Sequence, residues 1–243
     1  MPEGPSIVIA KEELSVFIGK KVVETTGNAK IDMDRLEGKV LTDVKSWGKH
    51  LLLCFDGFTV RIHFLLFGSY LVNETKSAVI RLGLVFKNGH INFYATSIKI
   101  LEGDADVHYD WSTDVISDEW NPSKAIKKIA DHKEELICDV LLDQDLFSGV
   151  GNIIKNEVLF RTRVNPNSLV GKIPSKKIKE IVEQARIYSF DFLRWKKEYE
   201  LKKHWLVHTK KECSQCGKAL VKEYTGKKKR RSFYCTTCQK LYV

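Results

Sequence analysis

Four of the six cysteines fall in two pairs, Cys213-x2-Cys216 and Cys235-x2-Cys238, with eighteen residues between the pairs. Two such knuckles supply four thiolates, a donor set suited to tetrahedral zinc. The other chemistry open to these thiols is redox exchange. Four protein ligands leave no position for a water, so a zinc ion here is structural, one per chain. A module this short has little core of its own, and metal binding supplies its folding free energy. Between the knuckles stands Lys227-Lys228-Lys229-Arg230-Arg231. Such a run is either a solvated turn or a finger held against a phosphate backbone, and a metal-fixed geometry favours DNA or RNA contact.

A second chemical group sits at the other end, in Met1-Pro2-Glu3-Gly4-Pro5. A small residue at position 2 permits removal of the initiator methionine, which exposes a proline secondary amine. An α-amine has a pKa of about 7.7–8.0 against about 10.4 for lysine, so a useful fraction is unprotonated near neutrality. That amine is a nucleophile toward an aldehyde-level carbon through a Schiff base, and Glu3 beside it can shuttle protons. A retained Met1 blocks the amine. By itself the segment is better explained as a helix start.

The elements that must position these groups read as follows. Residues 5–18 form a helix, with Ile7, Ala10, Leu14 and Phe17 on one stripe. From 38 to about 101 the texture is β, in runs at 40–46, 51–55, 58–66, 78–86 and 91–95, with hairpin signals at Asp56-Gly57 and Asn88-Gly89. Several short strands joined by tight turns predict a β-sandwich. Asn121-Pro122 signals a helix start, and helical periods cover roughly 123–147, 151–161 and 175–200. Ser148-Gly149-Val150-Gly151-Asn152 interrupts them. The expected organisation is α+β and multidomain: a β-sandwich with a flanking helix over 1–115, a helical domain over 116–204 and a zinc-ribbon finger over 205–243.

Composition narrows the class. The chain has 243 residues, 43% hydrophobic and 29% charged, which is ordinary for a globular protein and excludes a disordered chain or a fibre. No run approaches the ~18 apolar residues of a membrane span, and the N-terminus carries an acid and two prolines where a secretory signal carries bases. The expectation is a cytosolic protein with no membrane partner. The net charge is +9, yet residues 202–243 alone hold twelve Lys and Arg against two acids. Either that segment is a solvated lysine-rich face or it meets a polyanion.

Three separated motifs agree at this point: the N-terminal PEGP, the segment Gln144-Asp145-Leu146-Phe147-Ser148-Gly149-Val150-Gly151-Asn152, and the terminal RRSFYCTTCQK. Together, and in this order, they resemble the formamidopyrimidine-DNA glycosylase/endonuclease VIII family, over essentially the whole chain. The resemblance implies a bifunctional DNA glycosylase/AP lyase of base-excision repair with a helix-two-turn-helix domain. It acts as a monomer on double-stranded DNA holding a damaged base or an abasic site, and is nucleoid-associated when bound. Pro2 then corresponds to the Schiff-base nucleophile that attacks C1′, and Glu3 to the general acid/base beside it. Lys49 corresponds to a β-turn lysine that contacts phosphate and assists β-elimination. Asn152 corresponds to the asparagine that binds phosphate next to the lesion. Arg230 corresponds to the finger arginine that clamps DNA and is linked to δ-elimination; Arg231 fits the offset less well. Physically, Gly149 and Gly151 permit close approach of backbone to phosphate, and Asn152 opens a helix whose N-terminus favours anions. A flipped base leaves a gap that an apolar wedge fills, and Leu66 is the candidate, although an apolar run there also suits a core strand.

The chain also departs from the family pattern. The wedge stretch is Leu65-Leu66-Phe67 where endonuclease VIII-type members resemble Gln-Leu-Tyr. Residues 103–111 hold no Arg-Phe pair, and 188–211 contain no long Gly-rich loop of the kind that covers a flipped oxidised purine. The expected substrate is therefore an oxidised pyrimidine. The alternatives are the same chemistry on 8-oxoguanine or formamidopyrimidine, or a zinc-ribbon DNA-binding protein without catalysis.

Overall fold

The computed structural model describes residues 2–243. The chain divides into two compact units, the first ending at Asp110 and the second running Trp111–Val243.

The first unit opens with helix α1 (Gly4–Leu14), which has proline in its first turn and continues as one 3-10 turn, Ser15–Phe17. The stripe Ile7, Ala10, Leu14 and Phe17 is wholly buried, as its spacing requires. Eight strands follow: β1 (Val22–Thr26), β2 (Asp43–Trp47), β3 (His50–Phe55), β4 (Phe58–His63), β5 (Ser69–Val72), β6 (Ile80–Phe86), β7 (Gly89–Tyr94) and β8 (Ser97–Glu102). They form two four-stranded antiparallel sheets, ordered β1-β6-β7-β5 and β2-β3-β4-β8. Alternation along each strand sends Val44, Leu51, Leu53, Val60 and Ile62 from one sheet, and Leu82, Leu84, Ile91 and Phe93 from the other, into one core. The α1 stripe completes that core, so the expected sandwich with one flanking helix is present.

Two details differ from the sequence reading. Strand β4 stops at His63 rather than running to 66, because Gly68 N–H donates to Phe64 O at 2.7 Å and Leu65 takes φ +53, which turns the chain. Strands β1, β5 and β8 were not among the expected runs. Each is short and only partly buried, which weakens the period-2 signal.

In the second unit α2 (Pro122–Ile129) begins where expected, its N-cap Asn121 Oδ1 accepting from Lys124 N–H at 2.9 Å. The helix expected over 123–147 is in fact several pieces: α2, a 3-10 turn at Ala130–His132, the four-residue α3 (Ile137–Val140), and hydrogen-bonded turns such as Phe147 N–H to Asp143 O at 2.8 Å. Turns of this kind repeat the three-to-four-residue spacing of a helix, and Ile137, Val140, Leu141, Leu146 and Phe147 reach the core through them. Helices α4 (Asn152–Arg161) and α5 (Ser175–Lys197) complete the helical part. Helix α5 ends three residues short of the expected 200 in a Schellman motif: Tyr199 sits at φ +60, Tyr199 N–H donates to Lys196 O at 3.2 Å and Glu200 N–H to Trp195 O at 2.8 Å. The hairpin of β9 (Val221–Thr225) and β10 (Arg230–Tyr234) follows, and β10 packs on α4 within this unit. Among the described residues no helix is long and apolar enough to cross a membrane.

Candidate catalytic and phosphate-binding groups

The first unit carries the N-terminal pair. Pro2 is half-buried ahead of α1. Glu3 occupies the N-cap position in extended conformation and its carbonyl accepts from Ser6 N–H at 2.8 Å, while its side chain does not cap the helix. The residue is only 1% exposed. A carboxyl group nearly withdrawn from bulk water, one residue from the Pro2 nitrogen, is suited to exchange protons with a bound reactant rather than with solvent.

Lys49 lies in the two-residue turn Gly48-Lys49, closed by the pairing of Trp47 with His50. Gly48 takes φ +51, the first-position requirement of a tight type II′ hairpin, and this puts Lys49 at the tip. Beside it His50 and His63 face each other across β3 and β4, ring centroids 5.4 Å apart, and Tyr109 packs on His50 and Trp47. Burial pushes His50 down to about 4, with Arg61, His63 and Lys49 adding to the effect. Burial followed by Lys49 and Arg61 lowers His63 as well. Burial and the neighbouring cations thus disfavour the charged form of both imidazoles. His63 and Arg61 belong to none of the three motifs that carry the resemblance. The two-residue turn at Asp56-Gly57 fixes the register that sets His50 opposite His63, so the pair was derivable.

Leu66 lies on the turn between β4 and β5, not in a strand, and is 53% exposed. Its neighbour Phe67, the last residue of the wedge stretch, is 87% exposed. Together with Leu65 they present three consecutive apolar side chains to water.

In the second unit Asn152 is the first residue of α4, after the N-cap Gly151. Its Nδ2 donates to Arg231 O at 2.8 Å, and its Oδ1 has no hydrogen-bond partner among the described residues. The amide nitrogen keeps a second N–H that can meet a phosphate oxygen. Arg230 opens β10 opposite Thr225, and strand alternation separates it from Arg231. The Arg231 guanidinium is engaged by Tyr224, both at the hydroxyl (2.7 Å) and over the ring. Helix α4 also carries Glu157, a buried carboxylate that accepts from the N–H groups of Leu206, Val207 and His208 at 2.9–3.1 Å and so ties down the chain leading into the finger.

The four cysteines of the two knuckles converge, all four Sγ atoms lying within 4.8 Å of one another. Cys216 and Cys235 sulfurs are 3.5 Å apart and those of Cys213 and Cys238 3.8 Å, too far for disulfides. Zinc–sulfur bonds of about 2.3 Å at a tetrahedral centre put sulfurs about 3.8 Å apart. The cluster therefore fits a metal ion of that size and preference.

The fold and these groups define a known class: the chain belongs to the formamidopyrimidine-DNA glycosylase/endonuclease VIII family. Residues 1–97 match the formamidopyrimidine-DNA glycosylase N-terminal domain and residues 112–188 the formamidopyrimidine-DNA glycosylase H2TH domain. Among curated relatives, the chain is 31% identical over 212 residues to Endonuclease 8-like 3 of Mus musculus, an alignment covering 84% of this chain and 35% of that protein. The chain thus spans about a third of the length of that relative. It is 25% identical over 256 residues to the DNA-(apurinic or apyrimidinic site) lyase Nei2 of Mycolicibacterium smegmatis, covering 98% of this chain and 99% of that one. The crystal structure of Lactococcus lactis formamidopyrimidine DNA glycosylase, non-covalently bound to DNA containing an AP site, superimposes with a TM-score of 0.86 at 19% identity, over 98% of this chain and 99% of that chain.

Proposed function

We propose that this chain is a bifunctional DNA glycosylase and AP lyase of base-excision repair, acting as a monomer on double-stranded DNA that holds an oxidised base or an abasic site. The observation that carries the reading is the Pro2-Glu3 pair, a potential terminal amine followed by a carboxylate 1% exposed at the head of α1. The names of the relatives, an Endonuclease 8-like protein and an AP lyase, support the same chemistry.

With Met1 removed, the Pro2 nitrogen bonds to C1′ of the damaged nucleotide and the N-glycosidic bond breaks, the base leaving with its electron pair. Glu3 moves the protons that departure of the base and opening of the sugar require. The product is an iminium ion at Pro2. Loss of a proton from C2′ expels the 3′ phosphate, and a second elimination expels the 5′ phosphate. Lys49 binds phosphate and assists the first of these steps. Asn152 offers its second amide N–H, and the α4 N-terminus its dipole, to a phosphate beside the lesion. Arg230 clamps the backbone and serves the second elimination, and Leu66 fills the space the base vacates. Cys213, Cys216, Cys235 and Cys238 hold one structural zinc ion, which supplies cross-linking and no reaction step.

Borohydride reduction with an abasic-site duplex tests the central assignment. The chain processed to Pro2 is expected to be trapped covalently, and a form retaining Met1 is not. Trapping of the Met1-retaining form would reject Pro2 as the nucleophile.

A further inference from the structure

The tip of the finger hairpin is folded around a carboxylate from another element. Asp139 of α3 accepts from Lys227 N–H through Oδ2 at 2.7 Å and from Lys228 N–H through Oδ1 at 3.1 Å. Gly226 sits at φ +69, and a Cβ there would lie 2.4 Å from both carboxylate oxygens. Lys229 takes φ +44 and donates its N–H to Gly226 O at 3.2 Å, which closes the turn. The backbone of 226–229 is thus a nest of the kind that binds anions, and the chain fills it with its own side chain. Asp139 is only 5% exposed, and its neighbours Cys138 and Val140 are set in the helical core, so the carboxylate is held firmly.

Other ties of the hairpin come from α4, which reaches β10 and its partner Thr225, and from Asn167, whose Nδ2 donates to Glu223 Oε1 of β9 at 2.9 Å. Buried Lys155 donates from Nζ to Ser232 Oγ at 2.8 Å, and Ser232 Oγ is 2.6 Å from Thr225 Oγ1. Asn152 holds Arg231 O, and Asn156 Oδ1 accepts from Phe233 N–H at 3.3 Å. These contacts fix 231–233, whereas Asp139 fixes the residues that lead directly into Arg230.

We propose that Asp139 is a positioning residue for the phosphate clamp: by binding the backbone of the basic turn it sets the direction from which Arg230 meets DNA. The inference rests on the reading above that Arg230 grips phosphate and serves the second elimination. It makes a prediction opposite in sign to simple electrostatics. Asp139 is a negative charge against five consecutive cationic residues, so on charge alone its removal should tighten binding to a polyanion. As a positioning residue, its removal loosens binding.

The experiment uses the full chain with Asp139→Ala, Asp139→Asn and Gly226→Ala, the last leaving the carboxylate in place but crowding it out of the turn. Affinity is measured on a duplex with a stable abasic-site analogue, and the ratio of δ- to β-elimination products on a natural abasic duplex. Thermal melting confirms that each variant is folded. Asp139→Ala is expected to bind about tenfold more weakly, the scale of one lost charge-assisted hydrogen bond. Its δ-to-β ratio should fall, a readout that a smaller folded fraction does not move. Asp139→Asn, with one accepting oxygen, falls between, and Gly226→Ala repeats the fall in ratio. If Asp139→Ala does not fold, the other two carry the test. Unchanged or tighter binding with an unchanged product ratio in a folded variant overturns the proposal. If the parent chain neither nicks nor is trapped, the catalytic reading fails, and the affinity arm still decides whether Asp139 positions the turn.

Discussion

Leu65, Leu66 and Phe67 stand in water on a turn whose shape is dictated by Gly68, where any Cβ would lie 2.1 Å from Phe64 O. Three adjacent apolar side chains exposed together mark a surface that something covers. A duplex with an extruded base offers such a cover, because the vacated stack is apolar and unstacking costs a few kcal/mol. Replacing Leu66 or Phe67 with alanine should slow single-turnover excision from duplex DNA by roughly tenfold, about 1.4 kcal/mol of lost support. The same damaged base in a single strand needs no wedge and should be released at the parent rate. Equal slowing on both substrates would assign these residues to folding. The sequence pointed to Leu66 but also allowed a core strand there. What excludes the strand is a backbone reversal set by Gly68, which hydrophobic pattern does not encode. The convergence of the four cysteines was legible because it lies in residue type and spacing. The burial of Glu3 was not, since it depends on how α1 packs against β2 and β3.

The same contrast holds among the elements. Helix α2 was legible from its Asn-Pro start and the sandwich from its tight hairpins, since local chemistry determines each. The breaks between α2 and α4 were not, because linked turns copy helical spacing. The finger shows how an element with little interior is held: Phe233 and Cys235 pack with Phe160, Val207 and Cys213 in a small cluster, and polar contacts with α3, α4 and Asn167 add to its support. Such a cluster is too small to fix the hairpin alone. Metal analysis of the chain should give one zinc ion per molecule. Cys235→Ser, or a strong chelator, should abolish metal binding and DNA affinity together while the first unit keeps its sheets, as followed by circular dichroism. A metal-free chain that is folded and binds DNA fully would refute the zinc assignment.

At the scale of the molecule, charge and loop content bear on which lesion the proposed activity favours. Residues 202–243 hold twelve Lys and Arg against two acids, a distribution suited on the proposed reading to gripping phosphate without reading sequence. Discrimination must then come from the damaged base itself. No glycine stands between Gly171 and Gly217, and the connection from α5 to the finger is tied to Glu157 by three backbone N–H groups. That segment is not a flexible cover for a flipped purine. Residues 103–110 are likewise committed to the sheet, with Asp110 O accepting from Trp47 Nε1 at 3.1 Å and Lys45 paired with Asp106 at 2.9 Å. Without a cover, 8-oxoguanine would lack the edge contacts that tell it from guanine. Thymine glycol and dihydrouracil have lost aromatic planarity, stack poorly and are cheaper to extrude, so less recognition is needed. Single-turnover excision should therefore be faster from thymine glycol:A and dihydrouracil:G duplexes than from 8-oxoguanine:C, and the advantage should shrink in single-stranded substrates, where no stack has to be broken. Faster release of 8-oxoguanine than of both pyrimidines would assign the chain to the purine-preferring chemistry. A pyrimidine advantage that is undiminished in single strands would trace selectivity to the pocket rather than to the ease of flipping.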